Sequence, residues 1–180
     1  LLISLLSLGG IVLVESVRVE KKQDGYDQKL AATEKVVKAF SIIREARLAT
    51  DHPIDLNDDP TNSGLIGLPM SPITSVTGAL EAKKASINPN FAAVLIDMLT
   101  RAGVKEGDSV AVGMSGSFPA LNIAVCCALE TMKVKPLIIS STSASQWGAN
   151  VPELTWLDME RLLEEADVIA FRSFAASIGD

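Results

Sequence analysis

The stretch 109–132 constrains the fold of this chain more than any other part of the sequence. Residues 109–112 have the pattern of a short buried strand, and residues 120–132 form an apolar run with the length of a helix. Between them lies the small-residue loop 113–117, followed by Pro119, which suits a first helical turn because that turn does not need its N–H. Such a unit brings backbone N–H groups and the positive end of a helix dipole to one point.

This unit predicts an anion-binding loop, and a plain strand-to-helix turn with capping serines is the alternative. The alternative stays open because neither GxGxxG nor GxxxxGK[ST] occurs in the loop GMSGS. The same loop approaches the GxSxG pattern of a nucleophile elbow, but Ser117 replaces its last glycine. Ser115 is therefore the candidate nucleophile if the chain is an enzyme.

The pattern downstream repeats the alternation of strands and helices. We predict strands at 109–112, 136–140 and 167–171, with helices near 89–102, 119–132 and 156–166. The core stripe of the first of these helices is predicted to be Phe91, Val94, Leu95, Met98 and Leu99. Strands and helices that alternate over short connections indicate parallel pairing with right-handed crossovers. The expected fold class is α/β, a Rossmann-like three-layer parallel sheet preceded by an N-terminal membrane-anchor helix.

Three segments are expected along the chain. Residues 1–20 begin with an apolar run, shorter than the roughly 20 residues that span a bilayer, and we interpret them as a signal-anchor truncated at its start. Residues 21–50 are predicted to form an amphipathic linker helix. Residues 51–180 are predicted to be the α/β domain, truncated at its C-terminus. A cleaved signal peptide and a buried soluble helix are the alternatives for the first segment.

Composition excludes several classes of function. The net charge of −6 and the low aromatic content argue against a nucleic-acid partner. Cys126 and Cys127 are adjacent on a predicted buried helix and lack metal-ligand spacing, so we expect two small core residues. His52 precedes a proline in a predicted loop, where a solvated side chain is the expectation. No metal and no cofactor are predicted.

Hydroxyl-rich loops follow the first two predicted strands. In parallel sheets ligands bind outside the carboxyl ends of the strands, so both loops are expected to line one crevice. Lys83 and Lys84 follow the loop-rich stretch 60–78 and are the nearest cations for an acidic ligand, with a solvated face as the alternative. The candidate binding residues are Ser115, Gly116, Ser117, Asn122, Ser143, Ser145, Gln146, Trp147, Asn150 and Lys83.

Long motifs in the chain resemble one family. GMSGSFPALNIAV at 113–125, SASQWGAN at 143–150 and TWLDME at 155–160 closely resemble the poly-gamma-glutamate system protein family, and the likeness extends over roughly residues 25–180. The pair Asn62-Ser63, where a threonine is usual before GLIG, departs from the family pattern, as do the two cysteines. The resemblance implies an accessory protein of poly-γ-glutamate capsule or polymer biosynthesis operons, anchored with its domain outside the cytoplasm. It supplies no catalytic residues.

Two functions are therefore expected as alternatives. The first is a membrane-anchored accessory protein of poly-γ-glutamate synthesis or export, which binds an anionic polymer or a synthase component through the Ser/Gly-rich crevice. The second is a serine-dependent amidohydrolase or transferase that trims or releases the polymer, with Lys83 or Lys84 as the base. The expected location is the cell membrane, although the basic flank Arg18, Lys21 and Lys22 by itself favours a cytoplasmic domain.

Overall fold

The structure is a computed structural model that describes residues 2–17 and 21–179. Residue Arg18 of the basic flank lies outside the described residues, as do residues 1, 19, 20 and 180. The described residues form six helices and five strands. In chain order these are α1 (Leu2–Ser16), α2 (Tyr26–Leu48), α3 (Leu80–Ser86), α4 (Phe91–Arg101), β1 (Ser109–Met114), α5 (Pro119–Met132), β2 (Lys135–Ser141), β3 (Asn150–Val151), β4 (Leu154–Thr155), α6 (Trp156–Glu165) and β5 (Ala175–Ser177).

A parallel sheet in the order β1-β2-β5 organises the domain. β1 pairs with β2 from Ser109 opposite Lys135 to Met114 opposite Ser140, and β2 pairs with β5 from Ile139 opposite Ala175. The mixed α/β class and the parallel pairing of the first two strands are confirmed. β3 and β4 form a separate antiparallel pair.

The third strand is not where the sequence pattern placed it. Residues 167–171 are not a strand, and β5 lies instead at Ala175–Ser177. Asp167 has a φ of 54°, and the N–H groups of Val168 and Ile169 both donate to the carbonyl of Leu163. The apolar run therefore folds back over the end of α6 and buries Val168 and Ile169 there, so it cannot pair with β2.

Helices pack on one face of the sheet. α5 contacts α2 and α4, α2 contacts α6, and α6 contacts β2. The core contains the fully buried Ile123, Ile138 and Trp156. The opposite face of β2 carries Leu137 and Ile139, which are 52% and 54% exposed.

The predicted core stripe of α4 is partly wrong. Ala92 and Ile96 are buried, whereas Val94 and Met98 are 50% and 57% exposed. α4 packs against both α2 and α5, so the small side chain of Ala92 lies in the interface and Val94 and Met98 point away. The other three residues of the stripe, Phe91, Leu95 and Leu99, are partly buried against the core as predicted. Cys126 and Cys127 on α5 are buried as expected, and burial raises the pKa of Cys127 to about 12.

α1 contains 15 residues, all of them exposed wherever the side chain is described. Its large apolar side chains from Ile3 to Val14 are 61–80% exposed. Within the described residues, no helix is both long enough and apolar enough to cross a membrane.

A buried polar network attaches the segment before β5 to α6. α6 begins with a capping box, in which Thr155 and Asp158 satisfy each other's backbone N–H groups. Further along, the carboxylate of Glu160, 2% exposed, accepts hydrogen bonds from the backbone N–H and the hydroxyl of Ser173, both at 2.9 Å. The Ser173 hydroxyl lies 2.7 Å from that of Ser140, which accepts from the indole N–H of Trp156.

Burial raises the pKa of Glu160, and the bonds from Ser173 oppose that shift only in part. Because the pKa of Glu160 is higher in the folded state than in the unfolded state, protonation of Glu160 favours the folded state. This contribution to stability is fully present below the unfolded pKa and is lost as pH rises through the folded pKa. We expect Glu160→Gln to remove this decline. Chemical denaturation between pH 4 and pH 8 should show the free energy of unfolding of the variant gaining on the wild type as pH rises. Glu165→Gln, at an exposed position on the same helix, is the control. Parallel curves for wild type and Glu160→Gln would contradict the assignment.

Candidate functional site

The two hydroxyl-rich loops meet at the carboxyl edge of the sheet. The first loop, residues 115–118, joins β1 to α5, and the second, residues 142–149, follows β2. Because β1 and β2 are parallel neighbours, both loops leave the sheet at the same edge. The backbone N–H of Ala149 donates to the carbonyl of Gly116 at 2.8 Å, so the loops are in direct contact.

Glycines allow this contact between the two loops. A Cβ on Gly116 would lie 2.8 Å from the carbonyl oxygen of Ser143 and 3.2 Å from the Cβ of Ala144. A Cβ on Gly148 would lie 2.9 Å from both the carbonyl oxygen of Gly116 and the Cα of Ser117. Both glycines therefore serve close packing between backbones, whereas the sequence pattern assigned Gly116 to the approach of a ligand.

Lys83 lies in the centre of the loop cluster. Its side chain comes from α3 and is 2% exposed. The ammonium group donates to the carbonyl of Ser117 and, at 2.8 Å, to the hydroxyl of Ser145, and it lies 3.9 Å from the centroid of the Phe118 ring. The Ser117 hydroxyl in turn accepts from the backbone N–H of Ser145 at 2.9 Å.

Three candidate residues, two in the second loop and one at the start of β3, bind the stretch 58–78 of the same chain. Asn150, fully buried, accepts from the N–H of Leu68 and donates to its carbonyl, both at 2.8 Å. The side chain of Gln146 accepts from the N–H of Gly78 at 3.1 Å.

The indole of Trp147 donates to the carboxylate of Asp58 at 3.0 Å. Together with Asn150 and Gln146, it fastens the long loop over the cluster. The predicted crevice is therefore largely filled by the chain itself.

Ser115 and Ser143 are the candidate hydroxyls that keep partial exposure. The Ser115 hydroxyl accepts from the N–H of Ser117 at 3.0 Å, and the side chain of Asn122 donates to the Ser115 carbonyl at 2.7 Å. The Ser143 hydroxyl donates to the carbonyl of Ile178.

Two depressions remain open at this edge. One, of about 470 Å³, is lined by Gly113, Met114, Ser115, Ile139, Ser140, Ser141, Ser177 and Gly179. The other, of about 360 Å³, is lined by Pro72, Ile73, Thr74, Ser75, Thr142, Ser143, Ile178 and Gly179. A ligand at this edge therefore meets Ser115 in one depression or Ser143 in the other, whereas Ser117, Ser145 and Asn150 lie behind them.

Sequence analysis missed the contribution of the residues at and after β5. Ser177 and Gly179 line the depression next to Ser115, and Ile178 accepts the bond from Ser143. These residues were missed because the third strand was placed at 167–171. The small residues of the run Ala175-Ala176-Ser177 give no apolar pattern of their own, so the sequence holds little signal for this strand.

Within residues 2–17 and 21–179, no three His, Cys, Asp or Glu side chains are grouped so as to hold a metal ion. His52 lies 3.5 Å from the carboxylate of Glu153, on a partly exposed surface. The comparisons with known proteins give no further assignment: no family model matches the chain, and no curated protein and no solved structure is significantly similar to it.

The glycine contacts predict a stability effect. Gly116→Ala should lower the free energy of unfolding by about 1–3 kcal/mol, because backbone atoms of the opposite loop block the added methyl group. Gly113→Ala, three residues away on β1, is the matched control, since a Cβ there meets nothing within 4 Å. Urea denaturation of both variants measures the difference. Equal stabilities would mean that the loops are not packed as described.

Proposed function

We propose that this chain is a membrane-attached accessory protein of poly-γ-glutamate synthesis or export, which binds an anionic polymer or a synthase component at the carboxyl edge of its sheet. The operon context comes from the resemblance of the motifs at 113–125 and 143–150. The polymer carries one carboxylate per residue, so the ligand group at the edge is a carboxylate. The candidate contact is the depression that contains Ser115.

The observation that carries this proposal is the buried charge of Lys83 beside the first turn of α5. Removing a lysine charge from water is costly, and a charge in a buried position is screened less than one at the surface. Here the ammonium group binds Ser117 and lies over Phe118, directly before the helix. The positive end of the helix dipole points to the same place. Two positive ends near one point favour an anion bound beside Ser115.

Attachment to the membrane is supported by the exposure of α1. A helix that is apolar on all sides is normally buried in a protein core or in lipid. The 15 residues of α1 measure about 22 Å, against about 30 Å of bilayer hydrocarbon. We therefore propose α1 as part of an anchor.

A Rossmann-like three-layer arrangement also remains a proposal, because the described helices contacting the sheet lie on one of its faces.

The contact between Lys83 and Ser145 favours one alternative function. A lysine Nζ at 2.8 Å from a serine hydroxyl is the geometry of a nucleophile and its base. In this second candidate, an amidohydrolase or transferase, Ser145 takes the nucleophilic role that the sequence pattern assigned to Ser115. The 6% exposure of Ser145 favours binding over catalysis, because an acyl group must reach the hydroxyl.

A charge substitution tests the binding function. Lys83→Met should weaken the binding of oligo-γ-glutamate about tenfold. The reason is that a unit charge near the ligand carboxylate contributes roughly 1–2 kcal/mol at an effective dielectric constant of about 20. Isothermal titration at low salt measures the affinity. Lys84→Met is the matched control, since Lys84 is the next residue and pairs with Glu81 near the surface. If Lys83→Met fails to fold, Ser115→Ala replaces it as the test variant and should bind oligo-γ-glutamate about fivefold more weakly than the wild type.

The same samples separate the two candidate functions. Chain length after incubation with polymer should be unchanged in the wild type if the protein only binds. If the wild type shortens the polymer and Ser145→Ala does not, the hydrolase is established instead. Equal affinities of the wild type, Lys83→Met and Ser115→Ala would reject binding at this edge.

A deletion tests the anchor. Removing residues 1–20 should release the domain from membranes without unfolding it, because the buried core cluster begins at Ala32. Membrane flotation and circular dichroism of the truncated chain measure the two properties. A truncated chain that stays on membranes after a salt wash would show that another surface holds it.

A further inference from the structure

The open face of the sheet has the composition of a buried surface. Parallel strands usually have both faces covered by helices, and their sequences are then continuously apolar. β2 follows this pattern, since Leu137, Ile138 and Ile139 succeed one another. Ile138 is fully buried under the helices, whereas Leu137 and Ile139 are more than half exposed. The strand is therefore built for two covered faces, and one of them is open in the described residues.

Neighbouring strands extend this open face with small, uncharged residues. Ala111 and Gly113 of β1 pair with Leu137 and Ile139, and Ala175 of β5 pairs with Ile139. The charged residue of β2 is Lys135, at its amino end. Beyond Lys135, the residues of this face offer apolar contact to a partner and no counter-charge for a polyanion, so the anionic polymer does not fit its centre.

The size of the face selects the kind of occupant. Six paired residues of β1 and β2 give a surface about 20 Å long and about 10 Å wide, and the three residues of β5 widen it to about 14 Å at the carboxyl end, or roughly 240 Å² in all. A stable dimer buries about 800 Å² on each partner, so two copies packed by this face alone fall well short. One helix, about 10 Å in diameter and four turns long, matches both dimensions.

The helix α1 of a second copy is a poor occupant, although its length fits. Its apolar side chains surround the whole helix, so docking on a sheet would leave half of them in water. The face requires a helix with one apolar stripe and a polar outer side.

We propose that the open face formed by Ala111, Gly113, Leu137, Ile139 and Ala175 binds an amphipathic helix of a partner protein. That helix completes the third layer of the fold. The inference deepens the synthase-component part of the proposed function and rests on it for the identity of the partner. Its surface excludes Lys83 and shares Gly113 and Ile139 with the depression that contains Ser115.

A designed helix tests this surface with the full chain in nanodiscs of zwitterionic lipid. The probe is a 16-residue peptide with leucine at i, i+3, i+4, i+7, i+8 and i+11 and with glutamate and glutamine elsewhere. A peptide of the same composition in scrambled order is the negative control, and empty nanodiscs correct for binding to lipid. Fluorescence anisotropy of the labelled peptide measures the affinity.

Leu137→Asn with Ile139→Asn should weaken binding of the amphipathic peptide at least tenfold. Val94→Asn with Met98→Asn is the matched control, because these two residues of α4 are exposed to the same extent and lie off the sheet. Its affinity should stay within twofold of the wild type. Ile139→Thr, a milder change, should lie between them and serves if the double variant unfolds.

Three results would overturn the inference: equal weakening by both double variants, equal binding of the scrambled peptide, or failure of the wild type to bind the amphipathic peptide. If light scattering shows that the wild type is a dimer and that the variant Leu137→Asn with Ile139→Asn is a monomer, the face binds a second copy of the chain instead. The oligo-γ-glutamate titration uses the wild type, Lys83→Met and Ser115→Ala without the peptide, so its outcome is independent of the peptide measurements and the two failures are distinguishable.

Discussion

The buried ammonium group of Lys83 is the interaction on which the carboxyl edge of this domain depends. It joins α3, the loop before α5 and the loop after β2, which are far apart in the sequence, through Ser117, Ser145 and the ring of Phe118. Two loops rich in glycine and serine would otherwise have little apolar surface to bury. A fixed charge with several hydrogen-bond acceptors around it gives them a single arrangement.

This arrangement also explains why the serines of the loops differ in role. Ser117 and Ser145 are occupied by Lys83 and by each other, and they hold the loops together. Ser115 stands at the surface of the same cluster, beside the first turn of α5. The interior serines thus hold the charge of Lys83 inside the cluster. In the proposed function the same charge that orders the loops attracts the carboxylate.

The elements predicted correctly are those with a pattern in their own sequence, such as an apolar run or a cap. β1, β2, α5 and α6 lie within a few residues of their predicted positions. The run at Val168 and Ile169 was apolar enough for a strand, but its N–H groups donate to the carbonyl of Leu163. A buried strand and a buried turn after a helix have the same apolar pattern, so the sequence does not distinguish them. β5 has exposed small residues and no apolar periodicity, so its place depends on pairing with β2.

The two loops meet as predicted, whereas the interactions inside them were not predicted. The loops of Ser115, Ser117, Ser143 and Ser145 were expected at one edge because the two strands are parallel neighbours, and Lys83 was expected there as a cation for an acidic ligand. The sequence did not indicate that Lys83 would be buried with bonds to Ser117 and Ser145, since those contacts span 34 and 62 residues. Nor could it predict that Gly116 packs against the opposite loop, because a close approach to protein and a close approach to a ligand require the same residue.

The central claim is that an anion binds in front of Lys83, and mapping of amide chemical shifts tests it most directly. Oligo-γ-glutamate titrated into the isotopically labelled chain should shift the amides of residues 113–117, 140–143 and 177–179 together, with one dissociation constant. The amides of Lys21, Lys22 and Lys29, which line a separate depression beside α4, should stay in place. Shifts confined to those lysines, or none at all, would contradict the account.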